Sequence, residues 1–79
     1  MKIQYTVTKF KAALKRNAGK DAYCFFRVDN NDCIRTMYLQ TKKALILCNL
    51  TCIAERVSVY KLVKDLGYHP FDVCSFLED

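Results

Sequence analysis

The stretch that most constrains the fold of this chain is AYCFFRVDNNDCIRTMYL, residues 22–39. Two runs rich in aromatic and β-branched residues flank Asn30-Asn31, and such runs favour β-strands. Asparagine adopts positive φ more readily than most residues, so we expect a two-residue primed turn at this pair. The pattern therefore predicts a β-hairpin in which residues 22–29 pair with residues 33–40.

Alternation along the first of these strands divides its side chains between two faces of the sheet. One face takes Ala22, Cys24, Phe26 and Val28. The other face takes Tyr23, Phe25 and Arg27. Because aromatic rings stack on bases and arginine reaches phosphate, this second face is a candidate contact for nucleic acid. The alternative is that its aromatic rings belong to the core or cover a helix.

Upstream of the hairpin, the run from Thr8 to Gly19 predicts a short amphipathic helix. Thr8 is a suitable N-cap, and Gly19 suits the position after the C-cap. Residues 1–7 alternate in the manner of a strand, although Ile3 and Val7 also continue the helical stripe. Both assignments stay open for this segment.

The second half of the chain contains two further ambiguous segments. Residues 42–50 fit either the start of one long helix or a short buried strand followed by a helix. Residues 57–63 are rich in β-branched residues, but their apolar spacing favours a helix that ends at Gly67. Pro70 fits the first turn of a final short helix over residues 70–79.

Together these elements predict an α+β fold in one compact domain, residues 1–79. We expect a small antiparallel sheet built around the hairpin, with two to four helices packed on one face. If residues 1–7 and 57–63 are both strands, the order becomes βαββαβ, the ferredoxin-like arrangement. A chain of 79 residues has only just enough core for independent folding, so modest stability is expected.

Cysteine usage and the N-terminus bear on the compartment. The chain has five cysteines, an odd number, and MKIQYTVTKF lacks the apolar run of about 7–15 residues found in signal peptides. Reduced, mostly buried thiols fit this pattern better than a disulfide framework. We therefore expect a cytoplasmic protein with no membrane association.

Four side chains, Cys48, Cys52, His69 and Cys74, are candidate zinc ligands. The cysteine pair lies in an apolar run and not in a tight knuckle, and buried cysteines without a metal are common. His69 is the only histidine, and its pairing with Cys74 lacks an obvious third group. Because no glycine-rich phosphate loop is present either, we expect neither a metal nor another cofactor, and no enzymatic activity.

Charge is the clearest indication of function. The net charge of +5 is uneven: residues 1–43 hold ten cationic and three acidic side chains, whereas residues 44–79 hold three and five. Within the first half, KFKAALKRNAGK carries five cations and no carboxylate. Such asymmetry favours an anionic partner, although net charge also keeps small domains dispersed.

These observations predict a non-catalytic binding protein that docks through a positively charged face on an acidic protein surface or a nucleoprotein complex. Small inhibitors encoded by phages and mobile elements share this profile, so we expect it to modulate or inhibit its partner. Direct binding of DNA or RNA is the alternative, and a homodimer is compatible with so small a chain. The candidate contact residues are Lys9, Lys11, Lys15, Arg16, Lys20, Tyr23, Arg27, Lys42 and Lys43.

Overall fold

The computed structural model describes residues 1–72, which form two helices and five strands. In chain order these are β1 (Lys2–Gln4), α1 (Val7–Asn17), β2 (Tyr23–Val28), β3 (Ile34–Gln40), β4 (Leu45–Asn49), α2 (Ile53–Asp65) and β5 (Phe71–Asp72). The predicted α+β class is confirmed. The two helices among the described residues agree with the lower end of the predicted range.

The strands form one mixed sheet in the order β1-β4-β3-β2-β5. At its centre β2, β3 and β4 are antiparallel neighbours, but at the edges β1 is parallel to β4 and β5 is parallel to β2. The predicted antiparallel sheet is therefore present only at the centre. The ferredoxin-like order is not confirmed, because residues 57–63 lie within α2.

Both helices cover the same face of the sheet. Strands that run in the same direction need a long crossover, and α1 supplies it between β1 and β2, while α2 supplies it between β4 and β5. The core between the layers contains Phe10, Ala13, Leu14, Cys24, Met37, Leu39, Ile46, Cys48, Val59 and Val63, all buried. Each helix runs antiparallel to the strands that it connects. Both helices therefore end near the end of the sheet at which the parallel strands β2 and β5 begin.

The hairpin is confirmed, with β2 paired to β3, but its turn is not primed. The turn is centred on Asn30-Asn31, as predicted, with the amide of Asp32 donating to the carbonyl of Asp29 at 3.1 Å. Positive φ occurs at Asp32 (60°) and at neither asparagine. The Asp29 carboxylate accepts the amides of Asn31 at 2.9 Å and Cys33 at 3.1 Å. These bonds stabilise a turn in which residues 30–32 connect Asp29 to Cys33, one residue longer than predicted.

The structure also decides the helix ends. The N-cap of α1 is Thr6 and not Thr8, because the Thr6 hydroxyl accepts the amide of Lys9 at 3.3 Å. Gly19 follows the end of α1 with φ of 79°, and Gly67 follows α2 with φ of 91°, as their predicted stop positions require.

The structure shows a strand in each of two segments for which the sequence allowed either a helix or a strand. Residues 1–7 contain β1 and only the beginning of α1, and residues 42–50 contain β4, which precedes the separate helix α2. For residues 57–63 the helix forms because Val59 and Val63, one turn apart, are both buried in the core. Burial of this stripe outweighs the β-propensity of the individual residues.

The predicted helix over residues 70–79 is not found in its described part. Phe71–Asp72 forms β5, and the rest of that prediction lies outside the described residues. The Phe71 ring stacks on Phe25 with centroids 5.9 Å apart, and Phe25 stacks on Tyr38 at 5.1 Å. This cross-strand row of aromatic rings favours a strand at Phe71, a long-range interaction that Pro70 alone does not indicate.

The Tyr68 hydroxyl donates to the carbonyl of Leu14 at 2.9 Å inside the core. Tyr68→Phe should therefore lower the free energy of unfolding by about 1 kcal/mol, measured by urea denaturation. Tyr60→Phe is the matched control. The Tyr60 hydroxyl forms no hydrogen bond with another described residue, and its ring packs edge-on against Phe26. Equal losses in the two variants would contradict a specific role for the Tyr68 bond.

Asp29→Ala should destabilise the hairpin turn. The backbone amides of Asn31 and Cys33 hold the pKa of Asp29 below its usual value, and Arg35 lowers it further by a smaller amount. Because this pKa is lower in the folded state, the stabilisation exists above the unfolded pKa of about 3.9 and is lost as pH falls through the folded one. Thermal denaturation should show Asp29→Ala less stable than the parent at neutral pH, with the difference closing in acid.

Asp29→Asn is the control for this turn. Its amide oxygen still accepts the two backbone amides but forms no ion pair with Arg35, whose guanidinium lies 3.1 Å from the carboxylate. An intermediate stability is expected. Stability of the asparagine variant as low as that of the alanine variant would contradict a turn held mainly by the backbone bonds.

Candidate functional site

The cations of α1 point in different directions. Lys9 and Arg16 lie beside Tyr5, and together they line a shallow depression at the edge of the helix. The Lys9 ammonium is 6.0 Å from the centroid of the Tyr5 ring, a cation–π distance. Lys15 is exposed. Three of the four predicted α1 contacts are therefore accessible to a partner.

Lys11, the fourth, has a different environment. It is half-buried, and its ammonium donates to the hydroxyl of Ser58 on α2. This bond joins the two helices across their interface. Lys11 is thus first a contact between the helices and only secondarily a group available to a partner.

The outward side of α2 combines apolar and cationic groups. Ile53 and Val57, one turn apart, are 71% and 61% exposed. Lys61 and Lys64 continue the exposed side along the helix, and the Lys64 ammonium lies 5.9 Å from the centroid of the Tyr60 ring. Large aliphatic side chains this exposed are characteristic of contact surfaces when they lie together.

We call the outward surface of α1 and α2 the helix layer. The two helices together hold seven cationic side chains and two acidic ones, Glu55 and Asp65, a sum of +5 that equals the net charge of the whole chain. The exposed cations of the layer are Lys9, Lys15, Arg16, Lys61 and Lys64, whereas Lys11 and Arg56 are half-buried and the Arg56 Nε is buried. The charge asymmetry along the sequence therefore becomes an asymmetry between layers, and α2 contributes to it.

The Glu55 carboxylate is bound at the N-terminus of α2. Its carboxylate accepts the amide of Thr51 at 3.1 Å and the Thr51 hydroxyl at 3.2 Å, at the start of α2. The pKa of Glu55 is lowered chiefly by that backbone amide. The carboxylate thus serves the helix terminus, where negative charge is stabilising.

Tyr23 and Arg27, two further predicted contacts, lie on the opposite side of the sheet. They alternate along β2 with Cys24 and Phe26, which pack beneath the helices. The division of β2 into two faces is as predicted, but it separates these residues from the α1 cations. The nine candidate contacts are distributed over more than one surface.

The remaining three, Lys20, Lys42 and Lys43, lie together at the end of the molecule where α1 ends. With Asn17, Asp21 and Thr41 they line a depression of about 440 Å³. The Lys42 ammonium is 3.7 Å from the Asp21 carboxylate, and both side chains are exposed. Residues distant in sequence thus form a cationic cluster that the sequence pattern did not predict as a separate unit.

A second depression, of about 560 Å³, adjoins this cluster. Its lining includes four rings, Tyr23, Tyr68, His69 and Phe71. Lys20 lines both depressions. A cationic and an aromatic surface therefore meet at one side chain.

The candidate zinc ligands do not converge in the described part of the chain. Cys48 is buried on β4, Cys52 is exposed at the start of α2, and Cys74 lies outside the described residues. Within residues 1–72, no three side chains of the histidine, cysteine or acidic types are grouped to hold a metal ion.

Neither described helix has the length and apolar character needed to cross a bilayer. No protein-family model matches this chain, and neither a curated protein nor a solved structure matches it. The chemistry of its surfaces is therefore the basis for a functional hypothesis.

Sequence reasoning did not select Ile53, Val57, Lys61 and Lys64 as contact residues. A helical wheel over Ile53–Asp65 places them together on one side of the helix, away from the buried Val59 and Val63. That signal is usable only once the bounds of α2 are known, and the sequence left residues 57–63 between helix and strand.

The four described cysteines should differ in reactivity. Burial raises the pKa of Cys24 to about 12 and, with a smaller effect of Glu55, that of Cys48 to about 11. Since the thiolate is the reactive form, iodoacetamide at about pH 8 should modify exposed Cys52 first. Peptide mass mapping should find Cys24 and Cys48 labelled only after denaturant is added. Labelling of either as fast as Cys52 in the native protein would contradict the described core.

Proposed function

We propose that this protein is a non-catalytic binding protein that docks through the helix layer on an acidic protein surface and modulates or inhibits that partner. The observation that carries the proposal is the composition of the layer. Exposed Ile53 and Val57 share this layer with five exposed cations, Lys9, Lys15, Arg16, Lys61 and Lys64. A partner surface rich in aspartate and glutamate would complement both its charge and its apolar groups.

The apolar pair favours protein over nucleic acid as the partner of this surface. Binding to a phosphate backbone is driven by cations and counterion release and needs no exposed aliphatic side chain. Protein interfaces instead have an apolar centre with a polar, charged rim. Ile53 and Val57 suit the centre, while Lys61 and Lys64 of the same helix suit the rim.

The charge of the layer also suggests how docking begins. A surface of one dominant sign accelerates encounter with an oppositely charged partner and orients it, more than it adds affinity. In a nucleoprotein complex, such a surface would contact an acidic patch of the protein component directly. The protein component of a nucleoprotein complex is therefore included among the proposed partners, and blocking its activity is the proposed effect.

Capture from lysate of the native host, with and without nuclease, should identify the partner. We expect the partner to be retained after nuclease treatment. The double variant Lys15→Glu/Lys61→Glu should weaken binding of the purified partner about tenfold or more, measured by titration calorimetry. Ile53→Ser/Val57→Ser should weaken it at high salt as well as at low salt, because its effect is not electrostatic.

The matched control is Lys2→Glu/Arg27→Glu. Both residues are exposed and lie outside the helix layer, and the net charge changes as much as in the first variant. This control should retain affinity. Equal losses in the two charge variants, or a capture that depends on nucleic acid, would overturn the proposal.

A further inference from the structure

The end of the molecule where α1 ends and β2 begins holds a second, independent site. There the cationic depression lined by Lys20, Lys42 and Lys43 adjoins the depression lined by aromatic rings, and Lys20 belongs to both. From this juxtaposition we propose a binding site for a nucleoside phosphate, with the phosphate at the lysines and the base against the rings. It involves none of the helix-layer contacts and stands whether or not that layer docks on a protein.

The cationic depression favours an anion despite the presence of Asp21. Its pair with Lys42, 3.7 Å apart, is solvent-exposed, and exposed pairs of this kind contribute little. Among the described residues, neither Lys20 nor Lys43 forms an ion pair. Three ammonium groups against one carboxylate leave the depression with a net positive charge.

The backbone that presents two of these lysines is held in place. The Thr41 hydroxyl accepts the amides of Lys43 at 3.2 Å and Ala44 at 3.0 Å, and the Thr41 amide donates to the Ala44 carbonyl at 2.9 Å. The Gln40 side-chain amide donates to the carbonyls of Thr41 and Ala44. A fixed turn lowers the entropy lost when its side chains engage a ligand.

The aromatic depression suits a flat ring. Tyr23 is 59% exposed at the start of β2, and His69 is exposed on the segment that leads into β5. Tyr68, which also lines the depression, is buried, and its hydroxyl bond to the Leu14 carbonyl holds its ring in place. Nucleobases stack on aromatic side chains regardless of sequence, and the depression of about 560 Å³ has the size of small-ligand sites.

The two depressions together distinguish this ligand from simpler ones. An inorganic phosphate would use only the lysines, and an apolar ring would use only the aromatic wall. A nucleoside phosphate carries a phosphate and a base close together, so it can occupy both depressions at once, which meet at Lys20. Free nucleotides and single-stranded nucleic acid share this chemistry, and the experiment separates these two sources.

Titration calorimetry with ATP, adenosine, inorganic triphosphate and a short oligoadenylate tests the site. ATP or the oligoadenylate should bind at least about tenfold more tightly than adenosine or triphosphate, because only these occupy both depressions. Tighter binding of ATP indicates a free nucleotide as the natural ligand, and tighter binding of the oligoadenylate indicates a single strand.

Variants connect the binding to this place. Lys20→Glu/Lys43→Glu should reduce affinity about tenfold or more, while Lys15→Glu/Lys61→Glu, with the same change in net charge, should not. Tyr23→Leu keeps apolar bulk but should weaken ATP binding about fivefold, with triphosphate binding unchanged. Absence of saturable binding by all four ligands, equal losses in the two charge variants, or an unaffected Tyr23→Leu would overturn the proposal.

Discussion

The fold depends on burial of one face of the sheet beneath α1 and α2. The helices contribute fully buried side chains to this core, Phe10 and Leu14 from α1 and Val59 and Val63 from α2, and the strands contribute Met37 among others. Burial of each such side chain contributes about 1.5–3 kcal/mol to the free energy of folding. Within residues 1–72, the edge strands β1 and β5 have three and two residues, too few for independent stability. Each is joined to a helix, so the helix packing keeps both edges in register.

The same packing determines which surfaces are left for binding. Because each helix has one side in the core, most of its charged residues are directed outward, and the adjacent position of the helices combines two moderately charged elements into one surface. Some of these cations also stabilise the fold: Lys15, Arg16 and Lys64 lie in the last turns of their helices, where positive charge offsets the macrodipole. The single sign of charge on α1 exceeds what this structural role requires.

Local signals predicted the hairpin, the helix before Gly19 and the division of β2 into two faces. These features depend on residues near one another in sequence, such as the alternation around Cys24 and the turn at Asn30-Asn31. The prediction of a primed turn was wrong because the Asp29 side chain accepts the amides of Asn31 and Cys33, and in the resulting turn the residue with positive φ is Asp32. The strand at Phe71 and the helix bounds of α2 were out of reach, because pairing with β2 and burial of Val59 depend on the whole fold.

By itself, the sequence determined the α+β class, the central hairpin, the excess of positive charge and its concentration in α1. These follow from composition and short-range periodicity, which act within a few residues. Only the tertiary structure decided that α2 lies beside α1, that Ile53 and Val57 are exposed among the cations, and that Lys20, Lys42 and Lys43 meet beside an aromatic depression. The physical reason is that crossovers and parallel edge pairing bring together residues more than twenty positions apart, and no local pattern encodes which segments become neighbours.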